Sequence, residues 1–251
     1  MIKTALITGA TSGIGRATAK LFAKKGFKLV LCGRRQERLI ELEKELGSST
    51  MLHTLNFDVR NRDEVAKQID SLPLEFSTID ILINNAGNAH GLDSIEEGSL
   101  DDWDAMIDIN VKGLLYVSKA VIPKMVEKKA GHIINIGSTA GKEVYPRGNV
   151  YCASKHAVDA INQGMRIDLN QFGIRVGAVN PGLVETEFSK VRFKGDNNKA
   201  DSVYKGFMPL KPEDIADIIF FVVTRPYHVN IADLVVMPTA QASSTIVNKE
   251  Q

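Results

Sequence analysis

The sequence predicts an α/β protein built on one doubly wound parallel sheet of about seven strands, with helices on both faces. Two observations carry this. Apolar strand-like runs alternate with helix-like periodic runs along the whole chain of 251 residues, the pattern of a parallel sheet covered on both sides. The first strand also runs straight into a glycine-rich turn from which a helix starts, Thr8-Gly9-Ala10-Thr11-Ser12-Gly13-Ile14-Gly15.

The elements follow in order. Residues 5–7 are a short buried strand, and 15–25 a helix stopped by Gly26. Residues 28–32 form the second strand and 36–46 the second helix, stopped by Gly47. A strand at 52–57 precedes a helix at 63–72. Apolar strands at 79–83 and 132–136 flank one long helical region, 100–126. A long helix at 150–172 leads to a strand at 175–179. A helix at 212–224 has proline at its start, where a missing N–H costs nothing, and 234–237 is the last strand. Residues 185–206 break the rhythm. They are polar and rich in Lys, Asn and Asp, and a loop of that length in a compact domain is functional or mobile. The tail 239–251 is polar and expected to be ordered only by packing on something else. No repeat or linker divides the chain, so residues 1–251 read as a single domain.

Composition excludes several classes. The net charge of +1 gives no global field for nucleic acid or an anionic membrane. The apolar run 218–223 is far too short to span a bilayer. The N-terminus opens directly into a strand-like run without signal-peptide architecture. Cys32 and Cys152 form no CxxC, so a reducing, cytoplasmic setting is expected. The five histidines show no ligand spacing, and no metal is expected.

Three motifs carry chemistry. In the glycine-rich turn, glycines let a pyrophosphate approach the backbone, and the helix start offers free N–H groups. The alternative is an ordinary strand–helix turn. The second strand ends in Cys32-Gly33-Arg34-Arg35. An acidic residue here binds a ribose 2′-OH, whereas a basic one accommodates a 2′-phosphate, so Arg34 and Arg35 predict NADP(H) over NAD(H). The alternative is a solvated helix start. Finally, Tyr151 and Lys155 stand four residues apart on a predicted helix and share a face. An ammonium beside a phenol eases its ionisation. A free Tyr has a pKa near 10, and a proton carrier at neutral pH works best nearer 7 or 8, a shift worth roughly 3–4 kcal/mol. The bland reading is a surface pair.

Together with Asn84-Asn85-Ala86-Gly87, Asn110, Ser138 and Pro181-Gly182, these motifs make the chain resemble the short-chain dehydrogenase/reductase family over nearly its whole length. The resemblance implies a Rossmann-like fold and a role for each residue. Gly9, Gly13, Gly15 and the Ile14 backbone would hold the pyrophosphate, with Ser12 near the adenosine ribose. Asp58 and Val59 would contact the adenine, and Asn85, Ala86 and Gly87 would line the cofactor. Pro181, Gly182 and Val184 would pass along the nicotinamide, with Thr186 at its carboxamide. Tyr151 would carry the proton of the substrate oxygen, Ser138 would orient that oxygen, and Lys155 would lower the Tyr pKa and bind the nicotinamide ribose. Asn110 would hold a water linking Lys155 to solvent. Each could instead have a purely structural role.

Within the family, Asn135 to Gly141, Gly148 to Tyr151, Glu187 to Asp196 and Met237-Pro238 are similar to the NADP-dependent 3-hydroxy acid dehydrogenases, the L-allo-threonine and serine dehydrogenase group. That similarity implies a homotetramer acting on small 3-hydroxy acids or β-hydroxyamino acids, of the serine, allo-threonine or 3-hydroxypropionate/malonic semialdehyde type. A small carboxylate needs a cation, for which Arg192 and Arg147 compete; a third reading leaves both solvated. Arg147 departs from the small residue usual in that group. A broad carbonyl or sulfoaldehyde reductase is the second functional reading, and a non-catalytic NADP-binding regulator the third.

Overall fold

The computed structural model describes residues 2–250. Strands β1 (Thr4–Thr8), β2 (Lys28–Gly33), β3 (Leu52–Asn56), β4 (Ile81–Asn84), β5 (Gly131–Ile136), β6 (Ile174–Pro181) and β7 (Asp233–Val236) form one parallel sheet in the order β3-β2-β1-β4-β5-β6-β7. Alternate side chains feed opposite layers, as a strand's two-residue period requires. Ala5, Ile7, Leu29, Leu31, Ile81 and Ile83 pack with helices α1 (Gly13–Lys24), α2 (Gln36–Leu46) and α9 (Pro212–Val223). Leu6, Val30, Leu82 and Ile133 face the other way, onto α3 (Arg62–Asp70) and α5 (Leu114–Lys128). The five inner strands, β1, β2, β4, β5 and β6, are buried on both faces, which is why they read as apolar runs, whereas the edge strands β3 and β7 are only partly covered.

Three expectations about order needed revision. The single helix at 100–126 is two, α4 (Leu100–Ile107) and α5, joined by a π-helical turn at Asp108–Gly113 that contains Asn110. Such insertions collect at functional sites and leave no trace in hydrophobic period. The 185–206 loop contains two short helices, α7 (Phe188–Arg192) and α8 (Asn197–Ser202). The tail also folds back on its own domain. The Gln241 side chain accepts from the Leu183 N–H at 2.8 Å, and Glu143 accepts from the Ser244 N–H at 2.9 Å. The long helix α6 (Asn149–Leu169) ends in a 3₁₀ turn, Asn170–Phe172, and Gly173 turns the chain into β6. No helix of the described residues is long and apolar enough to cross a membrane.

Candidate active site

The strand order reverses between β1 and β4, and the carboxyl ends of strands on either side of such a point splay into a crevice. A cavity of about 690 Å³ lies there. Its phosphate-sized end is made of backbone. Gly9 and Gly13 have φ of +64° and +49°, a region that glycine enters without penalty. A Cβ on Gly15 would stand 2.4 Å from the Gly9 carbonyl oxygen, so only glycine lets α1 pack so closely on the turn. No side chain caps α1 at Ser12, and its first N–H groups keep the anion-binding capacity of a helix start. The turn is braced from β4. Thr8 Oγ1 accepts from the N–H of Asn85 (3.0 Å) and of Ala86 (2.9 Å), and Asn85 Nδ2 donates to the Thr8 carbonyl at 2.9 Å. The Asn85 side chain therefore holds the turn itself.

Arg34, Arg35, Asp58 and Val59 line the same cavity at the ends of β2 and β3. Arg34 lies 3.5 Å from Asp58. Burial raises the Asp58 pKa, but hydrogen bonds from Arg60 and the charges of Arg60 and Arg34 outweigh it and hold the carboxyl below its ordinary value. Arg35 donates through Nε and Nη2 to Thr11 Oγ1 (3.3 and 3.1 Å) and through Nη1 to Glu187 (2.9 Å). Arg38 donates to both Glu187 oxygens. Neither Arg38 nor Glu187 was anticipated. The one available signal was spacing, since Arg38 lies one turn beyond Arg35 at the start of α2.

Tyr151 and Lys155 sit buried on α6, with Ser138 beyond the end of β5. Lys155 Nζ donates to the Ile136 carbonyl at 3.0 Å, and burial pushes its pKa down to about 8. Burial pushes the Tyr151 phenol up, and Tyr145 adds to that; a hydrogen bond from Ser138 and the Arg192 charge pull it back only in part. The lowered phenol pKa expected from the four-residue spacing is thus not produced by the protein alone. Spacing reports that two side chains share a face; it is silent on the desolvation that both suffer. Asn110 does not line the cavity. Its Oδ1 accepts from the Asn88 N–H (2.9 Å), while Nδ2 donates to the Asn88 carbonyl (2.8 Å) and Ser154 Oγ (3.0 Å). Ser154 in turn donates to the Tyr151 carbonyl at 2.7 Å. Asn110 thereby ties the chain after β4 to the turn of α6 that carries Tyr151.

At the substrate end, Pro181, Gly182, Val184 and Thr186 follow β6 along the wall. Arg192 lines this wall and Arg147 does not. Arg147 is exposed, with a φ of +63°, in a turn closed by the Gly148 N–H on the Tyr145 carbonyl at 3.0 Å. Such a φ suits a small residue, so Arg147 holds this turn against its own backbone preference. The Arg192 guanidinium lies 5.6 Å from the Tyr151 ring centre and 5.5 Å from that of Tyr145. It donates to Tyr145 Oη (2.8 Å) and to the Gly91 carbonyl (3.0 Å) and has no carboxylate partner among the described residues. Tyr145, Gln241 and Ser244 also line the cavity. They were missed because each arrives from a segment without periodicity. A phenol, a second hydroxyl and an unpaired cation thus converge beside the glycine-rich turn, an arrangement suited to moving a proton on the oxygen of a small anion.

A family model described as short chain dehydrogenase matches residues 3–197. The chain belongs to the short-chain dehydrogenase/reductase family and is an oxidoreductase acting on CH–OH groups. It is 49% identical over 238 residues to an NADP-dependent 3-hydroxy acid dehydrogenase of Escherichia coli O6:H1, covering 94% of this chain and 95% of that protein. It is 48% identical over 240 residues to sulfoacetaldehyde reductase 2 of Chromohalobacter salexigens, covering 95% of each. Among solved structures, the closed form of a serine dehydrogenase complexed with NADP+ superimposes with a TM-score of 0.93 at 46% identity, over 99% of this chain and 100% of that one.

Proposed function

We propose that this protein transfers hydride between NADP(H) and the 3-hydroxyl or 3-oxo group of small 3-hydroxy acids or β-hydroxyamino acids. The observation that carries the substrate class is Arg192, an unpaired guanidinium stacked on the ring of the proton-carrying Tyr151. Such a cation recognises a carboxylate through two parallel hydrogen bonds.

The residues present suit the cofactor. The turn from Gly9 to Gly15 has no side chain that would exclude a pyrophosphate, and Gly15 is closed against any Cβ. Gly9, Ser12, Gly13, Ile14 and Gly15 would hold the pyrophosphate side, Arg34 and Arg35 the 2′-phosphate, and Asp58 and Val59 the adenine. Ala86, Gly87, Pro181, Gly182, Val184 and Thr186 would line the nicotinamide half, with Asn85 bracing the turn beneath. When bound, NADP+ supplies the hydride acceptor and NADPH the donor. In oxidation Tyr151 Oη, as the phenolate, would take the hydroxyl proton of the substrate while the hydride leaves to NADP+; in reduction Tyr151, as the phenol, would give a proton to the oxygen that receives the hydride. Ser138 Oγ holds the same oxygen. Lys155, its pKa lowered by burial to about 8, would bind the nicotinamide ribose and pass protons on. Asn110 positions α6 through Ser154 and would hold the water that links Lys155 to solvent. The expected homotetramer belongs to this reading and is checked by light scattering.

A sulfonate is recognised by the same cation, and the 48% identity to a sulfoacetaldehyde reductase favours that second reading. The test is NADP+ reduction with serine, allo-threonine, 3-hydroxyisobutyrate and 3-hydroxypropionate, alongside NADPH oxidation with malonic semialdehyde, sulfoacetaldehyde and neutral aldehydes of equal size. Preference for an anionic substrate supports the proposal. Preference for the neutral compounds makes the protein a broad carbonyl reductase.

A further inference from the structure

Three successive residues after β6 reach three different parts of the site. Thr186 lies over the glycine turn, where a Cβ on Gly13 would stand 3.2 Å from its Cγ2. Glu187 accepts from Arg35 at 2.9 Å and from Arg38 at 2.8 and 2.9 Å, across 152 and 149 residues of sequence. Phe188 packs on the Tyr151 ring, with centres 5.6 Å apart. One turn later Arg192 covers the same ring. Among the described residues, Glu187 is the acidic partner of both Arg35 and Arg38.

The charges favour a clasp over competition with the cofactor. Arg38 offsets the Glu187 carboxylate, so Arg35 keeps its own charge. A guanidinium has five N–H donors. Arg35 spends its Nε–H and one hydrogen on each Nη in the contacts described, leaving two for another anion.

We propose that Glu187 is a positioning residue, clasping the substrate segment closed over the site through Arg38 and Arg35. This rests on reading the cavity as a joint cofactor and substrate site. With Glu187 held, Phe188 and Arg192 stay on Tyr151. Released, the segment swings with its hinge in the residues after Pro181, and the carboxylate-binding cation leaves the pocket. The three side chains are about a third exposed, so the clasp is a modest one that trades off against solvent.

The test uses the full-length enzyme saturated with NADP+. Phe188, Phe193 and Tyr204 offer chymotrypsin sites within the segment. Glu187→Gln should speed cleavage there and raise KM for the best 3-hydroxy acid about threefold to fivefold, with kcat and the NADP+ dissociation constant within about twofold of wild type. Arg38→Glu and Glu187→Arg should each speed cleavage and raise that KM likewise, and the charge-exchanged Arg38→Glu/Glu187→Arg protein should recover both protection and KM. Wild-type cleavage in Glu187→Gln, or no recovery in the exchanged pair, overturns the clasp. Cleavage and NADP+ titration need no turnover, so a wrong substrate class would leave this test readable.

Discussion

The two ends of the cavity are built from different materials. The phosphate end is backbone: Gly9, Gly13 and Gly15, an uncapped helix start, and Asn85 bracing from beneath. The substrate end is side chains brought from separate segments: Tyr145 before α6, Tyr151 on it, Arg192 on α7 and Gln241 from the tail. A backbone site can be lost but hardly retuned. A side-chain site can change its ligand one residue at a time, which suits a fold that serves both hydroxy acid and sulfoaldehyde chemistry among its relatives.

Four experiments press on that contrast. The largest effect belongs to Tyr151→Phe. It should lower kcat by about 10²–10⁴-fold, the usual worth of a positioned proton carrier, while an NADP+ titration stays unchanged. Loss of cofactor binding as well would mean that the two ends are not separable. Next comes the joint replacement Arg34→Gln/Arg35→Gln. KM for NADPH should rise about tenfold to a hundredfold, the worth of charge-assisted bonds to a phosphate, and KM for NADH far less. Equal changes with both cofactors would remove these arginines from the 2′-phosphate.

Arg192→Ala sharpens the substrate end. KM for a 3-hydroxy acid should rise about tenfold, with a neutral alcohol of the same size spared, while Arg147→Ala stays within about twofold. Unchanged selectivity in the first, or a large shift in the second, would give the anion to a different group. The smallest effect lies in the sheet, away from both ends. His132 on β5 is buried with both ring nitrogens unpartnered, and burial, helped by Arg175 and Lys3, pushes its pKa down to about 3. Its folded pKa lies below the unfolded value of 6.5, so the unfolded chain takes the proton first. Stability is therefore full above about pH 6.5 and falls as pH drops from there towards about 3. At pH 5.5 the loss from this residue is about 1.4 kcal/mol. Unfolding free energies from urea titrations at pH 7.5 and 5.5 should differ less in His132→Leu than in wild type by that amount; equal differences would show that another group sets the acid limit.

The legible parts of the site share a property. The glycine turn, Arg34-Arg35 and the Tyr151–Lys155 spacing are each contained in a few consecutive residues, and each states a local rule of backbone or helix geometry. Arg38, Glu187, Tyr145 and Gln241 were not legible in the same way. Arg38 becomes interesting only when Glu187 arrives from a segment 149 residues away. Tyr145 matters because Arg192 rests on it. The break in the helix around Asn110 has the same origin: a π-helical turn is set by what Asn88 and Ser154 require of that side chain, not by hydrophobic period.

By itself, then, the sequence determined the parallel sheet, its two layers of helix and the glycine-rich turn at the cavity. These follow from short-range sterics and from the periodicity of apolar residues, both of which act along the chain. Only the tertiary structure decided which arginine lines the cavity, what Asn110 holds, and how the Tyr151 phenol sits electrostatically. Those outcomes depend on desolvation and on charges supplied by remote segments, and through-space electrostatics carries no mark in local sequence.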